Sequence, residues 1–299
     1  MAFSPYDLLA LAAAVCWAFT SVMSATPARH LGTFAFTRWR MSLVLLMLLP
    51  VVAWQGSWRS LSVADCGVMA LSGFIGIFVG DTALFGAMNR LGPRRTSVLF
   101  ATHAFFSAVL GFVLLDERMG PQAMLGAALV MGGVMTAILL GRHKDEAHAW
   151  EATRGHWAIG VALALLAALC QALSSLIAKP VMATGVDPIA ATAVRVSVTC
   201  LAQFALLWSG FAGARALQPP TLRIALQVGW IGFLGMGVGM SCILLALQHG
   251  DVGLVAILSS VSPVLVLPLL WQRLGRAPAP GAWLGASLAV LGTALVLLR

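Results

Sequence analysis

The fold follows from a short stretch at positions 73–81, GFIGIFVGD, which recurs at positions 232–240 as GFLGMGVGM. Three glycines keep their spacing in both copies, and each copy lies inside a long apolar run. Glycines four residues apart allow two helices to approach closely inside a membrane. The chain therefore contains an internal repeat of a helical element, in which the first copy ends on Asp81 and the second on Met240.

The composition identifies an integral membrane protein. Apolar residues make up 60% of the 299 residues and charged residues only 9%, where a soluble domain has roughly 25% charged residues. The formal charge of +8 fits attraction to anionic lipid headgroups, and no exposed basic domain remains for nucleic acid. The five cysteines have no CxxC spacing and are expected to pack as small residues. No cofactor is expected.

Ten apolar runs are long enough to cross a bilayer, which needs about 20 residues per helix. We predict transmembrane helices at 6–26, 35–54, 66–88, 95–115, 121–140, 156–178, 188–210, 223–248, 252–271 and 279–298. Lys179-Pro180 is expected to end the sixth helix. The longest and most charged connection, at 141–155, separates two groups of five helices.

The two groups are related along their length. Residues 73–140 align with 232–299 without gaps, and Arg40-Met41-Ser42 corresponds to Arg195-Val196-Ser197. Because five is an odd number, the second copy must enter the membrane from the opposite side, as in many secondary transporters. We therefore predict an all-α membrane protein with ten transmembrane helices as two inverted five-helix repeats. The expected division is a first repeat at 1–140, a connecting loop at 141–155 and a second repeat at 156–299.

Several motifs, in their order and doubling, resemble the drug/metabolite transporter superfamily in its ten-helix form with two EamA-type repeats. They are the arginine in the second helix of each half, the glycine-bearing third helix, Leu114-Leu115-Asp116-Glu117-Arg118 followed by Gly126-Ala127, and Ser262-Pro263. The second half departs from the pattern, because Arg276 stands where the first half has Glu117.

This resemblance implies a central cavity lined mainly by helices 1, 3, 4, 6, 8 and 9, with helices 5 and 10 at the periphery. It also implies a carrier, often an exporter, of small metabolites such as amino acids, nucleobases or drugs. It names no single substrate.

Asp81 is the first candidate for a functional residue. A carboxylate at the centre of a membrane helix costs at least about 2.5–3.5 kcal/mol on insertion scales, and such residues usually serve a transport path. Its counterpart in the repeat is Met240, so packing alone does not explain it. A role in transport or proton coupling and a structural partnership with an arginine or a polar side chain both remain open.

His103 is the second candidate, and its counterpart is Ser262. Asp81 and His103 lie equally far from Gly92, the centre of the predicted turn between helices 3 and 4, so they are expected at one depth. If they face each other, the pair could share a proton. A histidine that is merely hydrogen-bonded to a neighbour is the alternative.

The remaining candidates are polar or aromatic residues inside the helices. Arg40 and Arg195 are matched by the repeat and serve either the architecture or pairing with Asp81 or an anionic substrate. Cavity lining and helix packing are both open for the others, which are Trp17, Thr20, Thr82, Gln171 and Ser174. The loop segment 143–148, with two histidines and two acids, is expected to be a solvated connector rather than a metal site.

The orientation in the membrane receives two conflicting expectations. With ten helices both termini share one side, and only Arg59, Arg118, Lys179 and Arg299 fall there, whereas most of the other Lys and Arg residues fall opposite. The positive-inside rule then places the termini outside the cytoplasm. The family resemblance implies cytoplasmic termini.

The sequence favours a secondary transporter of small metabolites or drugs. We expect an exporter in a bacterial inner membrane that works by alternating access with proton or solute coupling, as a monomer or homodimer. Its expected partners are a small-molecule substrate, the lipid bilayer and protons, and not nucleic acid. A membrane-embedded transferase using Asp116-Glu117, and a passive channel, are the alternatives.

Overall fold

The computed structural model of the chain describes residues 5–91, 93–140, 156–274 and 279–298. Within these ranges the regular structure is entirely helical, and ten helices are long and apolar enough to cross a membrane. The predicted number of spans is confirmed. The connecting loop at 141–155, with its metal-site alternative, and Arg276 lie outside the described residues.

Spans 1 to 5 cover the first repeat. Span 1 is Asp7–Leu31, span 2 is Thr33–Gln55 and span 5 is Pro121–Leu140. Span 3 consists of Val63–Gly73, Phe74–Val79 and Gly80–Leu91, and span 4 of Pro93–Phe100 and His103–Leu115. In the second repeat, span 6 is Trp157–Ala183, span 7 is Pro188–Trp208 and span 10 is Pro280–Leu297. Span 8 consists of Leu222–Gly232, Phe233–Gly239 and Met240–His249, and span 9 of Val252–Ser259 and Ser262–Leu274.

Local capping sets where several of these helices begin. Ser62 and Asp65 form a capping box at the start of span 3, in which each side chain accepts from the other residue's backbone N–H. Asp187 accepts hydrogen bonds from two backbone N–H groups at the start of span 7, directly before Pro188. These side chains satisfy donors that the first helical turn leaves unpaired.

Span 6 runs past the position at which it was expected to end. The helix continues through Pro180 to Ala183, so the prediction that Lys179-Pro180 ends it is wrong. The chain leaves the helix only at Gly185, whose φ of 87° favours glycine. Span 1 likewise continues through Pro27 to Leu31. A proline is tolerated inside a membrane helix where neighbouring groups satisfy the carbonyl that it leaves free.

Two irregularities occur at matched places in both repeats, and neither was predicted. Spans 3 and 8 each contain a π-helical segment, Phe74–Val79 and Phe233–Gly239. Spans 4 and 9 are each interrupted by a short turn, just before His103 and just before Ser262. π-Segments are frequent at functional sites, and broken helices form the central sites of many transporters.

Spans 5 and 10 pack against each other along a seam of glycines. A Cβ on Gly126 would lie 2.7 Å from the carbonyl oxygen of Gly292, and one on Gly133 would lie 2.6 Å from that of Gly285. The two backbones therefore touch, which only small residues permit. This seam joins the last helix of one repeat to the last helix of the other.

Candidate functional site

Arg40 and Asp81 form an ion pair between spans 2 and 3. The guanidinium of Arg40 donates from Nη2 to Oδ2 of Asp81 over 2.6 Å. Arg40 lies in the first half of span 2 and Asp81 in the second half of span 3, so both belong to the half of the bundle away from the termini. The sequence left two roles open for Asp81, and this ion pair is the contact with an arginine that one of them required.

The pair is only partly covered by protein. The side chain of Arg40 is 12% exposed and that of Asp81 is 20% exposed. The guanidinium also lies over the ring of Phe36, 5.5 Å from its centroid. Because charged groups are costly against hydrocarbon, the exposed portion is expected to face an aqueous space inside the bundle rather than lipid.

Arg195 makes the corresponding contact in the second repeat. Its Nη1 lies 3.2 Å from Sδ of Met240, the residue that aligns with Asp81. Its Nη2 donates to Oγ of Ser174 over 2.7 Å. The side chain is fully covered, and Arg195 is 2% exposed as a whole. The repeat thus preserves the arginine and its position but not the carboxylate.

Spans 3 and 6 are locked together next to Arg195. The hydroxyl of Ser72 donates to the carbonyl oxygen of Ser174 over 2.7 Å, and the hydroxyl of Ser174 donates to the carbonyl oxygen of Ser72 over 2.8 Å. A Cβ on Gly73 would lie 2.6 Å from both Cα and O of Arg195, and one on Gly76 would overlap Ser174. Spans 3, 6 and 7 therefore lie in close contact in this half of the bundle.

Trp17 and Thr20 bind span 1 to the π-helical segment of span 8. Nε1 of Trp17 donates to the carbonyl oxygen of Gly235 over 3.0 Å. A Cβ on Gly239 would lie only 3.1 Å from the same Nε1. Thr20 donates to the carbonyl oxygen of Trp17 over 3.1 Å. The indole of Trp17 thus satisfies a carbonyl inside the irregular part of span 8.

Three polar atoms near the centre of the bundle are buried without a hydrogen-bond partner among the described residues: Oγ1 of Thr82, Nδ1 of His103 and Oγ of Ser107. The ring of His103 packs against that of Phe100, with 5.2 Å between centroids. The described contacts contain no hydrogen bond or ion pair between His103 and Asp81; the acid is bonded to Arg40 instead. Gln171 lies half-buried on span 6, one turn before Ser174.

Glu117 and Lys179 form a second charged site that the sequence reasoning did not identify. Glu117 accepts from the N–H groups of Val252 at 2.8 Å and Gly253 at 3.3 Å, and so caps the start of span 9. Lys179 donates to the carbonyl oxygens of Leu247 at 2.8 Å and Gly250 at 2.7 Å, at the end of span 8. Together they hold the turn between these spans on the side of the termini.

The environment of Glu117 affects its titration. Burial raises the pKa of this carboxyl above its ordinary value, and the two backbone N–H groups that it accepts from act in the opposite direction. The only feature of the sequence that pointed to Glu117 was the motif around Asp116-Glu117, and it suggested an enzyme as an alternative.

Among the described residues, no group of three or more His, Cys, Asp and Glu side chains is placed to hold a metal ion.

The ten spans, the two matched irregular helices in each half and the charged pair within the membrane define a multi-pass membrane protein of the transporter class. The model of the EamA-like transporter family matches residues 4–139 and 158–298, once for each half. The chain belongs to that family, and the predicted resemblance and the two-repeat architecture are confirmed.

Individual relatives agree with this assignment. The chain is similar to a probable terminal-alkyne amino-acid exporter of Streptantibioticus cattleyicolor, with 27% identity over 78% of this chain and 73% of that protein. It is also similar to the uncharacterized transporter YetK of Bacillus subtilis, with 27% identity over 46% of this chain and 39% of that protein. One solved crystal structure superposes with a TM-score of 0.78 at 18% identity, covering 98% of this chain and 96% of the other.

Proposed function

We propose that this protein is a secondary transporter that exports small amino-acid-like metabolites by alternating access, with the Arg40–Asp81 pair as its coupling and substrate-binding centre. The observation that carries the proposal is the pair itself. It is a charged contact within the membrane, it is partly exposed, and only one of the two repeats has it.

Alternating access is supported by the difference between the two halves. On the side away from the termini, Arg40 and Asp81 keep part of their surface exposed. On the side of the termini, Arg195 is covered, and the reciprocal Ser72–Ser174 bonds and the contact of Gly73 with Arg195 hold spans 3, 6 and 7 together. Inverted repeats that adopt two different conformations can exchange them, which opens the path to one side at a time.

Coupling to protons follows from the chemistry of the pair. While Asp81 is ionised, it holds Arg40; a proton on Asp81 would remove the charge that attracts the guanidinium. The released arginine could then bind an anionic group of a substrate, and loss of the substrate would restore the pair. Proton binding and substrate binding would thus be linked through one hydrogen bond.

An amino-acid-like substrate is proposed from two sources. One relative is named as an exporter of an amino acid. In addition, an amino acid carries a carboxylate that suits the released Arg40 and an ammonium group that can donate to a carboxyl oxygen of Asp81. Trp17, Thr20, Thr82, Gln171 and His103 are proposed to complete the site around this pair, with Thr82 Oγ1 and His103 Nδ1, which have no hydrogen-bond partner among the described residues, bonding to the solute. Ser174 is proposed to act with Arg195, to which it is hydrogen-bonded.

The experiment is substrate counterflow in vesicles that contain the purified protein, with Asp81→Asn as the test variant. Asp116→Asn is the matched control, because Asp116 lies outside the spans and its side chain is 82% exposed. We expect Asp81→Asn to lose transport or its dependence on the pH gradient, and Asp116→Asn to retain both. Unchanged transport and unchanged pH dependence in Asp81→Asn would remove Asp81 from the mechanism.

A further inference from the structure

Arg195 is a buried cation without a carboxylate among the described residues. It is 2% exposed, and its hydrogen bonds go to the hydroxyl of Ser174 and the sulfur of Met240. Its Nε has no hydrogen-bond partner in the part of the chain that the structure describes. Neither acceptor carries a charge, so the positive charge of Arg195 is not neutralised by the groups that it touches.

The neighbours of Arg195 are poor substitutes for an anion. A thioether sulfur is only a weak acceptor. The hydroxyl of Ser174 already donates to the carbonyl oxygen of Ser72 while it accepts from Arg195. Burying an ion without a partner is strongly unfavourable even after the protein relaxes. The arrangement is therefore unfavourable unless Arg195 receives a negative group at another stage of the transport cycle.

The first repeat shows which group is missing. Arg40 and Arg195 occupy the same place in the two repeats, and each contacts a residue within two positions of the end of the π-helical segment in a neighbouring span. That residue is Asp81 in one half and Met240 in the other. An arginine in this scaffold can bind a carboxylate, and the second repeat lacks one of its own.

The two arginines lie toward opposite sides of the membrane. Arg40 belongs to the half away from the termini and is partly exposed, whereas Arg195 lies near the start of span 7, on the side of the termini, and is covered. When the inverted repeats exchange conformations, the half that contains Arg195 opens. Its charge then becomes accessible from the side of the termini.

We infer that Arg195 binds the carboxylate of the transported solute in the conformation that is open toward the termini. This inference rests on the proposed function, and it narrows the substrate class to small solutes that carry a carboxylate. Met240 occupies the position that corresponds to Asp81 but carries no charge, so it does not compete with a solute carboxylate for Arg195.

Replacing Met240 provides a test that leaves Arg195 in place. Met240→Asp restores the pair of the first repeat, so the internal carboxylate competes with the solute for Arg195. We expect the apparent KM for a carboxylate-bearing amino acid to rise by at least about tenfold, the typical effect of losing one hydrogen bond to a charged group. Met240→Leu is the control and should stay within about twofold, since it adds no charge and changes volume little.

Stability separates this role from a purely structural one. If Arg195 serves only the packing, Met240→Asp should raise the thermal stability of the protein and leave transport unchanged, and that result would overturn the inference. A rise in KM without loss of stability in Met240→Asp, together with normal transport in Met240→Leu, is the result expected from a carboxylate site.

A second experiment tests the ligand rather than the protein. The free amino acid should inhibit counterflow by the wild-type protein, whereas the matching amino-acid amide, which lacks the carboxylate, should not. Equal inhibition by acid and amide would overturn the inference, and with it the binding of the anionic group by Arg40, while leaving amino-acid transport itself intact; the Met240→Asp experiment separates Arg195 from Arg40. Absence of any amino-acid transport by the wild type would instead overturn the proposed function, and the inference with it.

Discussion

The guanidinium of Arg40 is bonded to the carboxylate of Asp81 at 2.6 Å, within the membrane and between two different spans. Each residue alone would be a costly charge in this environment. As a pair they offset each other's charge, yet both retain some exposed surface. The relation explains how the bundle tolerates an acid that has no counterpart in the second repeat. It also supplies the first testable expectation.

Removing one partner of the Arg40–Asp81 pair should destabilise the protein more than removing both. Loss of one member of a fully buried pair costs about 3–5 kcal/mol, and we expect a smaller loss here because the pair is partly exposed. Arg40→Met with Asp81→Met should recover much of that loss. A double-mutant cycle measured by unfolding in detergent checks this coupling; additive effects of the two substitutions would contradict it.

Gly73→Ala should lower thermal stability sharply, because the added Cβ would lie 2.6 Å from the backbone of Arg195. Gly67→Ala is the matched control on the same helical segment, Val63–Gly73, where a Cβ meets nothing within 4 Å. Alanine is preferred over glycine in a helix by about 1 kcal/mol, so the control should be neutral or stabilising. Thermal denaturation of both variants in one detergent gives the comparison, and equal melting temperatures would contradict the close contact.

Glu117 should make stability depend on pH in a defined direction. Because burial raises the pKa of this carboxyl in the folded protein, the folded state holds the proton more tightly than the unfolded state. Its contribution to stability therefore falls as pH rises from the unfolded to the folded pKa. Glu117→Gln, which is neutral and retains an acceptor oxygen, should flatten this part of the profile.

The pH profile is measured by thermal unfolding from about pH 4 to pH 8, a range that covers ordinary and raised carboxyl pKa values. Asp116→Asn is the control, since that neighbouring side chain is 82% exposed and its pair with Arg118 is 3.6 Å long. An identical profile in wild type and Glu117→Gln would show that Glu117 does not titrate in this interval.

Trp17→Phe should weaken the contact between spans 1 and 8. The substitution keeps an aromatic ring but removes the N–H that donates to the carbonyl oxygen of Gly235. An unsatisfied buried acceptor costs about 1–3 kcal/mol. Trp54→Phe is the control, because Trp54 is 88% exposed. Unfolding in denaturant measures both, and an equal loss in the two variants would exclude a specific role for the Trp17 indole.

Much of the fold was predictable because lipid imposes simple rules on a sequence. A helix must be about 20 apolar residues long to cross the bilayer, so hydropathy alone predicts ten spans, and the described residues contain ten. The matched glycines gave the repeat, since close backbone approach requires the same small residues in both copies. The end of span 6 was wrong because Pro180 is tolerated inside a packed membrane helix.

The charged site was predictable only as a set of residues. A buried acid is visible in the sequence by its cost, and Asp81 was identified in this way. Its partner stayed open between His103, which lies at the same depth, and an arginine such as Arg40, because depth along a hairpin leaves the direction of a side chain undetermined. The packing of span 2 against span 3 brings Arg40 to the carboxylate.

The membrane class, the ten spans and their arrangement as two inverted repeats can all be read from the sequence alone. So can the fact that the position of Asp81 holds an acid in the first repeat and not in the second. These features depend on composition and on periodic local patterns, which are encoded along the chain. Only the tertiary structure decided that Arg40 holds Asp81, that Arg195 contacts Met240 with no carboxylate, and that Glu117 caps a helix 135 residues away. Such contacts join residues remote in the chain, and helix rotation and packing select them.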